Sequence, residues 1–301
     1  MSKREARHDD NSHSFWSAPS RSHPYRDCIP ALATMHKKER AIAPPFKRLL
    51  SLPVITCDAI DTDALGTFTG EIARRGSMRD VAGQKARLAC RISGRRLGIG
   101  SEGSFGPHPY IPFAAVDHEL IAFHDRELGT TICESVLSLR TNFLHLDLNE
   151  SSDLDDFLER IGFPEHAVVV GRADGSAPWI KGVQTRRDLD IAIRRSAEQD
   201  GGSTIRVSTD MRAHVNPTRM CIIRAAATRL AQRIKVLCPI CAAPGFGIVD
   251  WKRDVPCSEC GAPTERIAAK VLGCARCSYR QVEPVRRAPL ADPKYCSACN
   301  P

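Results

Sequence analysis

Four C-x-x-C pairs occupy the end of this sequence: Cys238-Pro239-Ile240-Cys241, Cys257-Ser258-Glu259-Cys260, Cys274-Ala275-Arg276-Cys277 and Cys296-Ser297-Ala298-Cys299. The pairs are separated by 15, 13 and 18 residues. A two-residue gap lets both thiolates of a tight turn reach one metal ion at about 2.3 Å, and two such pairs complete a tetrahedron. The eight cysteines therefore predict two zinc sites and a double zinc-ribbon module over residues 237–301.

The predicted zinc sites are structural rather than catalytic, because four thiolates per ion leave no open coordination position. Structural zinc contributes on the order of 10 kcal/mol per site, so we expect the module to fold only with metal. The spacing leaves two arrangements of the pairs open. Sequential pairing joins the first pair with the second and the third with the fourth. Nested pairing joins the outer two pairs and the inner two.

Composition excludes several classes of protein. The chain has 301 residues, of which 42% are hydrophobic and 26% charged, as in a globular protein of one or two domains. No apolar run approaches the roughly 18 to 20 residues that cross a bilayer, so we expect no membrane partner. Residues 1–29 are rich in Ser, His and Arg and have no apolar core, which predicts a disordered extension rather than a signal peptide. We therefore expect a cytoplasmic protein.

The net charge of +8 is distributed unevenly. Residues 201–301 carry 16 basic and 7 acidic side chains, which favours nucleic acid as a partner. Eight thiolates and two zinc ions reduce this excess of nine positive charges to about five. The zinc module is thus predicted to bind nucleic acid, to bind protein or only to brace the domain before it.

Residues 30–208 alternate between strand and helix patterns. Apolar or alternating runs predict strands at 29–34, 53–57, 97–100, 119–124, 130–137, 143–148, 167–171 and 204–207. Helical spacing predicts helices at 80–92, 153–161 and 186–198, with Ser152 as the N-cap of the second. These elements predict an α/β domain, a mixed sheet with flanking helices, over residues 30–208. Asn216 and Pro217 open a further helix, so residues 209–236 are expected to be a connecting loop and helix.

Three polar loops, at 61–71, 101–109 and 210–217, follow predicted strands, where open α/β folds bind ligands. The candidate catalytic acids, with hard oxygen atoms that suit Mg2+ or Mn2+, are Asp61, Asp63, Glu71 and Glu102. The candidates for binding an anionic small molecule are Lys38, Lys85, Ser104, Arg212, His214 and Arg219. The alternative is structural: the aspartates form turns and caps, and Asp210 pairs with Arg212 or Arg219 to brace a hinge.

Longer motifs lie at 38–45, 61–63, 66–71, 101–109, 210–220, 238–247 and 296–301. On these motifs the chain from Thr34 to Pro301 resembles a bacterial zinc-ribbon-containing family of unknown function. That resemblance implies no activity.

The order of motifs in the front domain is similar to that of the inosine-triphosphate pyrophosphatase-like enzymes. The matching segments are Thr34 with Lys38, Gly66-Thr67-Phe68 with Glu71, Lys85-Ala86, and Glu102-Gly103-Ser104. The resemblance implies that the lysines hold phosphates and that the acidic loop holds magnesium and activates water. The sequence departs from the pattern in three respects: His36 stands where an Asn is expected, the spacing of the first lysine differs, and Glu102 alone replaces an acidic pair.

Two hypotheses for function follow from these observations. The chain is a divalent-metal-dependent hydrolase of a nucleotide or another phosphorylated small molecule, or it is a non-catalytic zinc-ribbon adaptor that binds protein or nucleic acid. Convergence of the acids in the folded domain, with a lysine or arginine facing them, would favour the hydrolase.

Overall fold

The computed structural model describes residues 23–57, 76–149, 151–176, 178–198, 204–285 and 290–301. A five-stranded mixed sheet forms its first part, and its strands are β1 (Ala31–Ala33), β2 (Ile55–Cys57), β3 (Leu97–His108), β4 (Ile111–Asp125) and β5 (Thr130–Ser138). Their order is β2-β1-β3-β4-β5. Strand β1 pairs in parallel with β2 and β3, whereas β3, β4 and β5 pair antiparallel. The carboxyl ends of β1 and β2 therefore lie at the same end of the sheet, and the pairing of β1 with β3 ends at Leu32 and Ile99.

Helices cover both faces of this sheet. Helices α1 (Glu39–Leu50) and α5 (Pro217–Lys235) pack on one face, and α2 (Met78–Ser93) packs on the other. Alternation along β4 explains the division, because neighbouring side chains of a strand point to opposite faces. Ile121 and Phe123 join the core with α1 and α5, whereas Leu120 and Ala122 join the core with α2.

Local sequence accounts for the position of α2. Ser77 caps its first turn by accepting a hydrogen bond from the backbone of Asp80, whose side chain accepts one in return. Gly94 ends the helix in the left-handed conformation, as the sequence predicts. Gly100 of β3 lets the helix approach closely, because a Cβ there would lie 2.2 Å from the carbonyl oxygen of Ala82.

A second sheet has its own core. Its strands are β6 (His145–Asp147), β7 (Val168–Arg172), β8 (Ile180–Val183) and β9 (Ile205–Thr209), in the order β6-β9-β7-β8 and all antiparallel. Helices α3 (Leu154–Ile161) and α4 (Arg186–Glu198) pack against it. The mixed α/β class predicted for the front of the chain is confirmed, but it is built as two sheets rather than one. Asp153, not Ser152, caps α3.

The C-terminal region is a three-stranded antiparallel meander. It consists of β10 (Gly247–Arg253), β11 (Ile267–Gly273) and β12 (Arg280–Pro284), with β11 in the middle. Its small core contains Phe246, Leu272 and two of the cysteines. No helix among the described residues is long and apolar enough to cross a membrane.

Three boundaries differ from those expected. Residues 101–108 continue β3 instead of forming a loop, because they pair with β4 along their whole length. Helix α5 does more than connect: one side of it, from Ile223 to Ile234, is fully buried in the first core. Residues 23–29 fall within the predicted extension, yet Tyr25 is fully buried with its ring 5.4 Å from that of Phe123. Asn216 caps α5 as predicted, accepting a hydrogen bond from the backbone of Arg219.

Candidate functional site

The first group of cysteines lies where α5 runs into β10. It contains Cys238, Cys241, Cys274 and Cys277, whose sulfur atoms all lie within 4.8 Å of one another. The Sγ atoms of Cys238 and Cys277 are 3.8 Å apart, and those of Cys241 and Cys274 are 3.6 Å apart. Cys274 Sγ accepts hydrogen bonds from the backbone of Arg276 and of Cys277, an arrangement that stabilises a thiolate.

The second group lies at the other end of the meander. It contains Cys257, Cys260, Cys296 and Cys299. The Sγ atoms of Cys257 and Cys299 are 3.9 Å apart, and those of Cys260 and Cys296 are 3.6 Å apart. Hydrogen bonds from the backbone of Cys299 and Ala298 lower the pKa of the Cys296 thiol to about 7, which favours the thiolate needed by a metal.

Both groups fit a tetrahedral metal ion. A tetrahedron with metal–sulfur bonds of about 2.3 Å has edges of about 3.8 Å, close to the measured sulfur separations. A disulfide would need about 2.0 Å. The eight predicted ligands are therefore brought together in two four-cysteine groups that can each hold a metal ion.

The pairing of the C-x-x-C pairs is neither sequential nor nested. The first pair joins the third, and the second joins the fourth. Strand direction explains this result. Strand β10 runs from the first pair toward the second, β11 runs back to the third, and β12 runs away again toward the fourth. An antiparallel meander thus places odd pairs at one end and even pairs at the other. The three strands between the pairs determine this pairing, and the spacing of the cysteines does not reveal their direction.

A buried charge cluster lies beside the carboxyl end of β1. The cluster consists of Lys38, Lys85, Ser101, Glu102, Asp117, Glu119 and Arg219, each less than 9% exposed. The chain leaves β1 through α1 on one face of the sheet and returns to β3 through α2 on the other. In open α/β folds, ligands bind outside the strand ends at such a reversal.

Two lysines reach the cluster from different helices. Lys85 of α2 forms an ion pair with Glu102 of β3, with Nζ and Oε2 2.7 Å apart. Lys38, immediately before α1, donates a hydrogen bond of 3.0 Å to Ser101 Oγ. Burial lowers the pKa of Lys38 to about 8, and the positive charge of Arg219 acts in the same direction. An anion bound next to Lys38 would stabilise the charged form of the lysine.

Arg219, in the first turn of α5, forms an ion pair with Glu119 of β4, with Nε and Oε1 2.6 Å apart. Its guanidinium also donates to the carbonyl oxygen of Met211 and lies 4.9 Å from the centre of the Phe105 ring. Gly103 faces Glu119 across the β3–β4 pairing. A Cβ at Gly103 would lie 2.5 Å from Arg219 and 2.6 Å from Glu119, so the missing side chain makes room for the pair.

Asp117 is the most unusual member of the cluster. It is completely buried, and neither of its carboxylate oxygens has a hydrogen-bond partner in the described part of the chain. Burial and, next to it, the negative charge of Glu119 raise the pKa of Asp117 to about 8. The Oε2 atom of Glu119 is likewise buried and unpartnered within the described residues. These oxygens lie on one face of β4, because the two residues are separated by one position.

The structure brings together four of the residues proposed from sequence: Glu102, Lys38, Lys85 and Arg219. Asp61, Asp63 and Glu71 lie outside the described residues. Ser104 is half-buried on β3. It lies two positions from Glu102 and therefore on the same face of the strand, opposite to the face of Ser101 and Gly103.

Two further candidates are held at the border of the two sheets. Arg212 pairs with Asp210 at 2.7 Å, the partner that the structural alternative expected, and Asp210 also accepts from the backbone of Gly182. His214 stacks on His36, with ring centres 5.4 Å apart. Burial lowers the pKa of His214, and so does the positive charge of Arg212.

Sequence reasoning missed Asp117 and Glu119. Both lie in a strand that is otherwise apolar from Val116 to Phe123 apart from His118. Two acids at alternate positions of a central strand share one face and enter the core together. That spacing was the available signal.

Comparison with known proteins gives one family. The family model described as "Domain of unknown function (DUF6671)" matches residues 85–301. No curated protein and no solved structure matches the chain.

Proposed function

We propose that this chain, which belongs to the DUF6671 family of domains of unknown function, is a divalent-cation-dependent hydrolase of a nucleotide or a related phosphorylated compound. The buried charge cluster carries the proposal. Three basic and three acidic side chains from helices and strands far apart in sequence are buried together beside the carboxyl end of β1, the region of an α/β sheet where ligands usually bind. Burying so many charges opposes folding, and clusters with strongly shifted pKa values are typical of functional sites.

The basic side chains supply the phosphate-binding half of the site. Lys38 and Lys85 are compact positive charges that suit phosphate oxygens. Arg219 acts through Glu119, because its ion pair and its stacking on Phe105 hold that carboxylate in place. We assign Ser104, Arg212 and His214 to the outer part of the same anion site, as the sequence predicts.

The acidic side chains supply the cation-binding and proton-accepting half. The unpartnered Oε2 atom of Glu119 is a hard donor of the kind that Mg2+ or Mn2+ prefers, and Glu102 lies in the same cluster. Asp61, Asp63 and Glu71 remain predicted contributors from sequence. When bound, the ion neutralises phosphate charge and polarises the phosphorus–oxygen bond. A carboxylate with a pKa of about 8 is strong enough a base to accept a proton from the attacking water, and we assign this role to Asp117.

We assign zinc to both four-cysteine groups. Four thiolates close each coordination sphere, so the ions stabilise the C-terminal fold rather than take part in hydrolysis. Thirteen cysteines, eight of them in pairs that suit a metal ion, also favour a reducing compartment such as the cytoplasm.

The test is a hydrolysis screen of the zinc-loaded chain with nucleoside triphosphates and simple phosphate esters, each with Mg2+ or Mn2+. Lys38→Gln and Asp117→Asn should lower activity at least a hundredfold, whereas Lys47→Gln, an exposed lysine of α1, should not change it. Phosphate release that is equal in all four proteins, or absent with every substrate, would refute the hydrolase.

The adaptor hypothesis has one observation in its favour. Several large apolar side chains of the meander are 37 to 47% exposed: Ile248, Val249, Trp251, Ile267 and Val282. Residues 238–301 carry nine basic and six acidic side chains, and two zinc ions with eight thiolates bring the net charge to about −1. This surface therefore suits a protein better than a nucleic acid. The adaptor would be supported if the chain hydrolyses none of these substrates but binds a protein partner, and if Trp251→Ala abolishes that binding.

A further inference from the structure

Helices α1 and α5 present a basic outer face that the proposed hydrolase site does not use. Helix α5 contains five basic residues and no acidic one, and α1 contains three basic residues and one acidic residue. The α1–α5 basic face is formed by exposed side chains: Arg40, Lys47, Arg48, Arg224, Arg229 and Lys235. The two helices lie side by side, since Arg224 donates a hydrogen bond to the backbone oxygen of Arg40 at 3.5 Å.

Ion pairing does not explain these charges. None of the six side chains forms a salt bridge with a residue that the structure describes. Arg224 and Arg229 each use one N–H group for a backbone carbonyl, that of Arg40 and of Ser135 respectively. These contacts orient the guanidinium groups and leave their other donors at the surface. Six like charges on one face repel each other unless a polyanion lies across them.

The chemistry of the face favours a nucleic-acid backbone over a lipid surface. Arg224 reaches the backbone oxygen of Arg40 on the α1 side of α5, and Arg229 reaches that of Ser135 on the β5 side, so the positive charges extend across the exposed width of α5. A spread of positive charge without paired acids suits the phosphates of a nucleic acid, which carries one negative charge per about 1.7 Å of duplex. Within the fully described ranges of α1 and α5, no large apolar side chain is exposed, whereas a helix that lies in a membrane needs an apolar face.

We propose that the α1–α5 basic face binds the phosphate backbone of a nucleic acid without reading its sequence. The inference does not rest on the hydrolase, because the face and the buried charge cluster share no residue. The bases are not contacted by this face, since it offers no exposed aromatic side chain for stacking.

Fluorescence anisotropy with the zinc-loaded full chain tests the proposal, using labelled DNA and RNA duplexes of about 20 base pairs between about 50 and 200 mM salt. Wild type should bind both, and its affinity should fall steeply with salt. Arg224→Gln with Arg229→Gln should weaken binding about tenfold near 100 mM and lower the salt slope by about 2. The double variant Lys47→Gln with Arg48→Gln in α1 should also weaken binding and lower the salt slope.

The matched control is Arg194→Gln with Arg195→Gln, which removes the same charge from the exposed side of α4. It should bind within twofold of wild type, and thermal melts should show that all variants are folded. If the control weakens nucleic-acid binding as much as the α5 variant does, binding depends only on net charge, and the proposed site is wrong. Absence of nucleic-acid binding, or binding only to phosphatidylserine vesicles, would also overturn it.

Discussion

Replacing Asp117 with asparagine should make the stability of this protein less dependent on pH. The carboxyl is buried without a hydrogen-bond partner among the described residues, and burial raises its pKa from 3.8 to about 8. Between these values the folded protein holds a proton that the unfolded chain has released. Unfolding therefore becomes easier as pH rises from about 4 to about 8, and the contribution is constant on either side of that window.

The magnitude follows from the shift. Each pKa unit corresponds to about 1.4 kcal/mol, so the window from pH 5 to pH 7 carries at most about 3 kcal/mol. Asp117 titrates together with Glu119 and Lys38, which reduces the part of the change that belongs to Asp117 alone. Between pH 5 and pH 7 we therefore expect the free energy of unfolding of wild type to fall by about 2 kcal/mol relative to that of Asp117→Asn. Asparagine keeps the size of the side chain but does not titrate. The lowered pKa of His214 acts in the opposite direction and cancels, because both proteins contain it.

The assay is urea unfolding at pH 5, 6 and 7, followed by circular dichroism in buffer without added divalent ions. Asp254→Asn, an exposed aspartate of the C-terminal module, is the matched control and should follow wild type at every pH. A difference between wild type and Asp117→Asn that stays constant within about 0.5 kcal/mol would show that the carboxyl ionises normally. Asp117 would then not hold a proton in the folded protein at neutral pH.

Three further outcomes are expected. Arg219→Met should lower the free energy of unfolding by about 3 to 5 kcal/mol, because it leaves Glu119 as a buried charge without its partner; urea midpoints equal to wild type would contradict this. Gly103→Ala should lower the free energy of unfolding by about 1 to 3 kcal/mol, because the added Cβ would press on that same ion pair. An unchanged free energy of unfolding would show that the ion pair moves aside without cost. Metal analysis should return two zinc ions per chain, and Cys238→Ser and Cys257→Ser should each retain one, with loss of both from either variant counting against two independent sites.

Sequence alone was sufficient to find the eight cysteines that form the two candidate metal sites, and to find the class of the front region. The geometry of a C-x-x-C turn is local: two intervening residues place both sulfur atoms on one side of a knuckle, whatever surrounds it. Caps are equally local, and both the end of α2 at Gly94 and the start of α5 after Asn216 were predictable for that reason. Strand and helix patterns indicated the mixed α/β class, because periodicity reports which side chains are buried.

Tertiary structure decided everything that depends on elements distant in sequence. The cysteine pairs join alternately because three strands between them reverse direction, and strand direction is a property of pairing rather than of spacing. Lys38 and Arg219 meet in one cluster although 180 positions separate them, since α1 and α5 pack on the same face of one sheet. Asp117 looked like an ordinary strand residue in sequence. Only the packing of helices over β4 removes it from water, and removal from water is what shifts the pKa of its carboxyl.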